Sequence, residues 1–339
     1  MNSPLLTVRC IVVLALLTLS IVTVACSKPE QTTAAAASGA ATPASDSNSA
    51  AKPSVSTPPA QSAPSGPKPN VDGNHVMRYV KEVVAFGSRP VGSPGHAKLE
   101  QYILSKLKGV DVEQDKFTAE TPVGKFAINN IIAKFPGRED GIIVVAGHYD
   151  TNYPLPKTYV GANDGGSSTA MLLALADQFR GRTLDGYSVW LVWTDGEEAF
   201  VKWTATDSLY GTRQLAEKWE KDGTAGKIKA LMVVDMLGDA DLDVLKETRS
   251  TPWLSELVYQ AASNLGYQSH FYKMQGGVDD DHMPFLKIGV PAVDIIDLDY
   301  GYNNVFHHTP QDTIDKLSPQ SLAISTDVVL ETIQLINAR

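Results

Sequence analysis

The order of apolar runs predicts an α/β protein: one three-layer α/β/α domain around a largely parallel, mixed central sheet. Gly141–Gly147, Tyr187–Trp193, Ile228–Val234 and Val290–Ile296 are near-continuous apolar runs, the pattern of strands buried on both faces. Helical segments alternate with them, as the crossovers of a parallel sheet require. Carboxylates and imidazoles cluster directly after these runs, at strand C-terminal ends, where such sheets bind ligands.

Each element follows in order. Asn74 to Lys108 has helical spacing broken by the loop Phe86–Gly95. Val110–Phe117 and Lys125–Phe135 read as strands joined at Thr121-Pro-Val-Gly124, adding an antiparallel edge. The strand at Gly141 leads to an Ala-, Leu- and Met-rich helix over Ser167–Phe179. The strand at Tyr187 leads to a helix over Asp207–Lys221, and the strand at Ile228 to one over Trp253–Leu265. After the strand at Val290, Ser318 caps a closing helix that runs to Ala338.

The first quarter of the 339 residues reads differently. Arg9 and the apolar run from Ile11 to Ala25 make residues 1–25 an export signal, somewhat short for a retained span of about 20 residues. Thr23-Val-Ala-Cys26 matches the end of a bacterial lipoprotein signal, with Cys26 as the lipidated residue, although Thr23 stands where Leu is usual. Residues 26–70 are rich in Ala, Ser, Thr and Pro and bury too little apolar surface to fold, so they are expected to form a tether. Residues 71–339 remain as one catalytic domain. The expected location is the cell envelope, lipid-anchored to the membrane, with Ser27 after Cys26 pointing to the outer membrane. Cys10 and Cys26 are the only cysteines, so the mature domain has neither disulfides nor a cysteine nucleophile or metal ligand. A formal net charge of −9 with no basic run excludes nucleic acid as a partner.

The chemistry lies after the strands. Gly147-His148-Tyr149-Asp150 leaves the first run; Gly161-Ala-Asn-Asp164-Gly-Gly166 opens the next helix; Thr194-Asp-Gly-Glu197-Glu198 follows the second run. Asp235 ends the third, and His307-His308 follows the last. Taken singly, Asp164 reads as a helix cap, Glu197-Glu198 as a solvated pair and His308 as part of a polar loop. Their convergence at one edge of a sheet reads instead as a zinc site of one Asp, one Glu and one His, namely Asp164, Glu198 and His308, with a fourth position open. His148 and Asp235 supply material for a second metal, with Asp164 bridging.

This series, with His308-Thr-Pro-Gln-Asp-Thr313, resembles the zinc aminopeptidase superfamily. Trp193-Thr-Asp-Gly-Glu-Glu-Ala-Phe-Val-Lys-Trp203, Asp207-Ser-Leu-Tyr-Gly211 and Gly276-Gly-Val-Asp-Asp-Asp-His-Met-Pro-Phe285 narrow the resemblance to its animal-type glutaminyl cyclase branch. The resemblance implies one zinc ion on Asp164, Glu198 and His308, and proton transfer by Glu197. It implies a hydrogen-bonded acidic pair of Asp235 and Asp280 behind the site, and a pocket wall at Trp203. The implied substrates are peptide and protein N-termini, with N-terminal Gln converted to pyroglutamate and ammonia released. Three positions depart from the animal pattern: His307 replaces a Trp, Asp294 replaces a His and Gly147 replaces a Cys.

Two other readings compete. A two-zinc aminopeptidase would use the same ligands together with His148 and Asp235; Trp203 and the Asp280–Phe285 block favour the cyclase. A catalytically silent peptide-binding lipoprotein would be expected to lack a ligand or Glu197, and all are present.

Overall fold

The computed structural model describes residues 67–153 and 155–339. The expected export signal, Cys26 and all but the last four residues of the expected tether lie outside them. Within residues 67–70, the Asn70 backbone N–H already donates to Asp327 Oδ2 at 2.7 Å, and Val71 N–H donates to Oδ1 at 3.1 Å.

The chain runs α1 (Gly73–Val84), α2 (Pro94–Lys106), β1 (Asp111–Thr121), β2 (Gly124–Phe135), β3 (Gly137–His148), α3 (Gly166–Phe179), β4 (Leu184–Thr194) and α4 (Tyr210–Lys221). It continues through β5 (Ile228–Asp235), β6 (Val244–Glu247), α5 (Pro252–Asn264), β7 (Phe271–Gly276), α6 (His282–Lys287), β8 (Ala292–Ile296) and α7 (Pro319–Asn337). Six strands form a mixed sheet in the order β1-β2-β4-β3-β5-β8. β4, β3, β5 and β8 pair in parallel, while β2 pairs antiparallel with both β1 and β4. The parallel core and antiparallel edge agree with the sequence reading.

Two-residue periodicity builds the two cores. On β3, Ile143 and Val145 join one apolar cluster, while Ile142, Val144 and Ala146 join the other. On β5, Ala230, Met232 and Val234 face the first, and Leu231 and Val233 the second. The first cluster is covered by α1, α2, α3, α5 and α7, the second by α4 and α6. Both faces of the parallel strands are therefore dry, which explains their unbroken apolar runs. Among the described residues no helix is long and apolar enough to cross a membrane.

Tertiary contacts changed the sequence reading in two places. The helix expected from Asp207 begins at Tyr210. The Asp207 carboxylate instead accepts N–H bonds from Phe200, Val201 and Lys202 at 2.9–3.0 Å and so fixes the loop that carries Trp203. A second, two-stranded parallel sheet of β6 and β7, and the short α6, occupy segments without a strong periodic signal.

Close packing at the strand end depends on Gly147. A Cβ there would lie 2.7 Å from Ser168 Cβ and 2.8 Å from the Val234 carbonyl oxygen, so α3 approaches β3 only because the side chain is absent. Gly147→Ala is expected to lower stability by about 1–3 kcal/mol, the usual cost of overpacking. A urea midpoint equal to that of the wild type would refute this account of the packing.

Candidate metal centre

The C-terminal ends of the parallel strands place the polar residues together. His148 ends β3, Asp164 lies two residues before α3, Glu197 and Glu198 follow β4, Asp235 ends β5, and His308 lies in the loop after β8. His308 Nε2 is 3.2 Å from Asp164 Oδ2 and 3.0 Å from Glu198 Oε1. His148 Nε2 is 3.1 Å from Asp164 Oδ1 and 3.2 Å from Asp235 Oδ1. Asp164 thus lies between two imidazoles, and Glu198 meets the second of them, His308.

Buried backbone ties hold these loops. Asp150 accepts the N–H groups of Glu197 at 3.2 Å and Glu198 at 3.3 Å, and Asn152 Nδ2 donates to Glu198 Oε2 at 2.8 Å. Tyr159 donates its hydroxyl proton to Asp164 Oδ2 at 2.5 Å. Asp312 accepts the N–H groups of Asn163 at 2.8 Å and Asp164 at 3.2 Å, which joins the His308 segment to the Asp164 loop. The fully buried Arg89 guanidinium donates to the carbonyls of Val160 at 2.5 Å and Gly161 at 2.8 Å beneath that loop. Gly165 turns the chain into α3 at φ 73°, where a Cβ would meet the Asp150 carbonyl at 2.6 Å. His308 adopts φ 53°, a conformation costly for a residue with a Cβ and one that collects at functional sites.

Beside these residues is a cavity of about 260 Å³ lined by Glu197, Glu198, Trp203, Asp280, His307 and His308, among others. Trp203 and Asp280 thus line the same cavity as Glu198 and His308. Asp280 has no hydrogen bond to Asp235: Asp281 N–H donates to its Oδ1, and its Oδ2 has no donor partner. Burial and the charge of Asp235 push the Asp280 carboxyl well up, and burial with the charges of Asp280 and Asp235 does the same to Asp294. Both Asp294 oxygens also lack a donor, which agrees with the upward direction of these two carboxyls.

The remaining electrostatics depend on the two imidazoles. Burial opposes charge on His148, but Glu197 and hydrogen bonds to Asp150, Asp164 and Asp235 outweigh it and hold its pKa well above the ordinary value. His308 is likewise opposed by burial, yet hydrogen bonds to Asp164 and Glu198 push it up to about 11. Burial also raises the Asp164 carboxyl, but hydrogen bonds from His148 and His308 bring it well below the usual range. Glu197 goes well up because burial and the charges of Glu198, Asp280 and Asp281 outweigh His148.

These donors fit a divalent cation. Bonds of about 2.0–2.2 Å in a tetrahedral site put ligand atoms roughly 3.3–3.6 Å apart, close to the spacings around His308 Nε2. Ligand atoms also gather within 4.8 Å in two sets, Asp164–His307–His308 and His148–Asp164–Asp235. Sequence reasoning noted His307 only as a departure and gave no role to Asp150, Tyr159, Arg89 or Asp312. Asp150 and Asp312 stood within quoted motifs, but nothing local marked them as backbone clamps.

A protonated His308 cannot ligate a metal. Its contribution to metal-free stability is full below its unfolded pKa of about 6.5. That contribution is lost as pH rises towards about 11. Zinc added to metal-free protein near pH 7.5 is expected to release about one proton from this imidazole per ion, and affinity should fall with pH. Proton release in weak buffer measures it; uptake with no release would remove His308 from the ligand set.

Residues 130–333 match peptidase family M28. The chain is 31% identical to the glutaminyl-peptide cyclotransferase of Drosophila melanogaster over 285 residues, 75% of this chain and 78% of that one. Among solved structures it resembles the glutaminyl cyclase of an Acidobacteriales bacterium at 48% identity and a TM-score of 0.78, covering 83% of this chain and all of that one. It also resembles a Zn-dependent exopeptidase from Parabacteroides distasonis at 26% identity and a TM-score of 0.69, over 80% of this chain and 100% of that one. Over most of its described length, this chain belongs to peptidase family M28, in the branch of the glutaminyl-peptide cyclotransferases.

Proposed function

We propose that this chain is a zinc-dependent glutaminyl-peptide cyclotransferase that converts N-terminal Gln of peptides to pyroglutamate with release of ammonia. The main support is one cavity that holds the imidazole–carboxylate cluster, a buried glutamate and a tryptophan wall, in a chain 48% identical to a structure described as a glutaminyl cyclase. One zinc ion on Asp164, Glu198 and His308 would supply Lewis-acid polarisation of the side-chain amide carbonyl.

The chain's own residues do the rest. Trp203 packs against the Gln side chain and folds it back, so that the α-amine lies against its own γ-carbonyl. Attack is then intramolecular and depends chiefly on pose. Glu197 accepts a proton from the amine as the new N–C bond forms. It returns that proton to the amide nitrogen as the old C–N bond breaks and ammonia leaves. Burial raises its pKa, the direction that makes it a better proton acceptor. Asp235 and Asp280 line the same cavity and give it a polar side.

The second reading is a two-zinc aminopeptidase, favoured by the gathering of His148, Asp164 and Asp235 and by the exopeptidase neighbour. Ammonia release from a Gln-peptide, run beside hydrolysis of Leu- and Ala-arylamides and zinc analysis, separates the two. One zinc per chain with ammonia release is expected; two zinc ions with arylamide cleavage would mean an aminopeptidase.

Neighbouring glutamates should separate by role. Glu198→Gln is expected to lose zinc and activity, since a neutral amide is a poorer ligand. Glu197→Gln should keep zinc and lose about 10²–10⁴-fold in rate, the usual worth of general acid–base catalysis. A zinc-loaded, fully active Glu197→Gln protein would sink the mechanism.

We also propose that the protein is exported and held at the bacterial cell envelope by lipidated Cys26, facing the periplasm from the outer membrane. Cys26→Ala should abolish incorporation of labelled fatty acid; continued labelling would exclude this anchor.

A further inference from the structure

His307 precedes His308 and lines the same cavity. Its Nε2 lies 4.0 Å from Asp164 Oδ2, and the two imidazole centroids are 4.0 Å apart. Position alone makes it a metal ligand with Asp164 and His308. The far side of its ring points to a different role.

Asn304 settles which nitrogen of that ring carries the proton. The Tyr300 backbone N–H donates to Asn304 Oδ1 at 3.1 Å, and an N–H requires an oxygen there, so the amide has one orientation. Its Nδ2 then faces His307 Nδ1 at 3.2 Å. An amide NH₂ offers only protons, so Nδ1 must present a lone pair. A neutral imidazole with a bare Nδ1 carries its proton on Nε2. That nitrogen has no lone pair for a metal and can only donate. The turn that holds this contact places Asn303 at φ 55° and Asn304 at φ 58°, the left-handed region that asparagine enters more readily than most side-chain-bearing residues.

We infer that His307 is a hydrogen-bond donor in the active-site cavity, and that its Nε2–H donates to the carbonyl oxygen of the substrate's reacting amide. The second half rests on the cyclase reading. Asp164 and His308 border this N–H, so an oxygen presented to the metal ligands is presented to it as well. Negative charge on that oxygen grows as the amine attacks, and a preorganised donor stabilises the transition state more than the bound substrate.

The test uses zinc-loaded protein and a Gln-peptide, with kcat, KM and zinc content measured for His307→Phe and His307→Gln. His307→Phe keeps a ring but no donor, and kcat should fall by about 10²-fold, the loss typical of one oxyanion donor. KM and zinc content should change little. His307→Gln puts an amide N–H close to the place of Nε2 and should recover most of the loss. Should His307→Phe misfold by its melting temperature, His307→Gln still reports. Loss of zinc in step with activity would make His307 a ligand, and an unchanged kcat in His307→Phe would leave it no role in the reaction. Independently of turnover, ¹⁵N spectra of histidine-labelled protein should show His307 protonated at Nε2 and bare at Nδ1; the reverse pattern overturns the donor assignment. A wild type that releases no ammonia sinks the cyclase reading and the carbonyl acceptor with it, while the ring spectrum still decides the donor.

Discussion

Buried negative charge at the C-terminal edge of the sheet is the constraint that organises this molecule. Asp164, Glu197, Glu198, Asp235, Asp280 and Asp294 all lie below the surface within one site and the layer behind it. Carboxylates removed from water are costly unless they meet cations, protons or N–H groups. The chain supplies all three, in different places. His148 and His308 are drawn into the charged form around Asp164, Asp280 and Asp294 are driven towards the protonated form, and Asp150 is met by backbone N–H groups. The same surplus of lone pairs that the protein must neutralise gives the cluster the donor chemistry of a candidate cation site.

Holding those groups together requires loops that do not relax away from one another. The Gly161–Asp164 turn is the common support. Arg89 fills the space beneath it, Asp312 caps its N–H groups, and Asn163 exchanges hydrogen bonds with the turn after β5 through Met236 O and Gly238 N–H, each at 2.8 Å. Loops after β3, β5 and β8 are thereby locked to one reference point. Trp203 is fixed independently, because Asp207 binds the backbone just before it. Trp203 and the imidazole–carboxylate cluster are therefore held by separate sets of hydrogen bonds.

The two histidines in tandem show how context divides similar side chains. His308 faces two carboxylates and is drawn towards charge and, with a metal present, towards ligation. His307 is turned by Asn304 into a neutral donor at the same cavity. Behind the site, Asp294 has His282 Nδ1 at 3.8 Å, and His282 Nε2 reaches Glu247 Oε2 at 3.3 Å. A buried acid–imidazole–acid series thus backs Asp280 and links the site to β6.

Sequence alone determined the architecture and which acidic and imidazole positions would meet at the strand ends. Unbroken apolar runs leave few alternatives to strands buried on both faces, and the topology of parallel sheets then sends every post-strand acid or imidazole to one edge. The Gly147–Asp150, Asp164, Asp195–Glu198, Asp235 and His308 segments were legible for that reason. Tertiary structure decided what each group does there. Asp207 left its helix because the N–H groups of Phe200, Val201 and Lys202 in the folded loop before it needed an acceptor, Arg89 and Asp312 became supports through contacts 71 and 149 residues away in sequence, and the His307 proton was fixed by a turn. Local periodicity records which face of an element is buried, and local motifs record which groups are present. Charge state, tautomer and clamp, by contrast, arise from neighbours that only the folded chain brings within hydrogen-bonding distance.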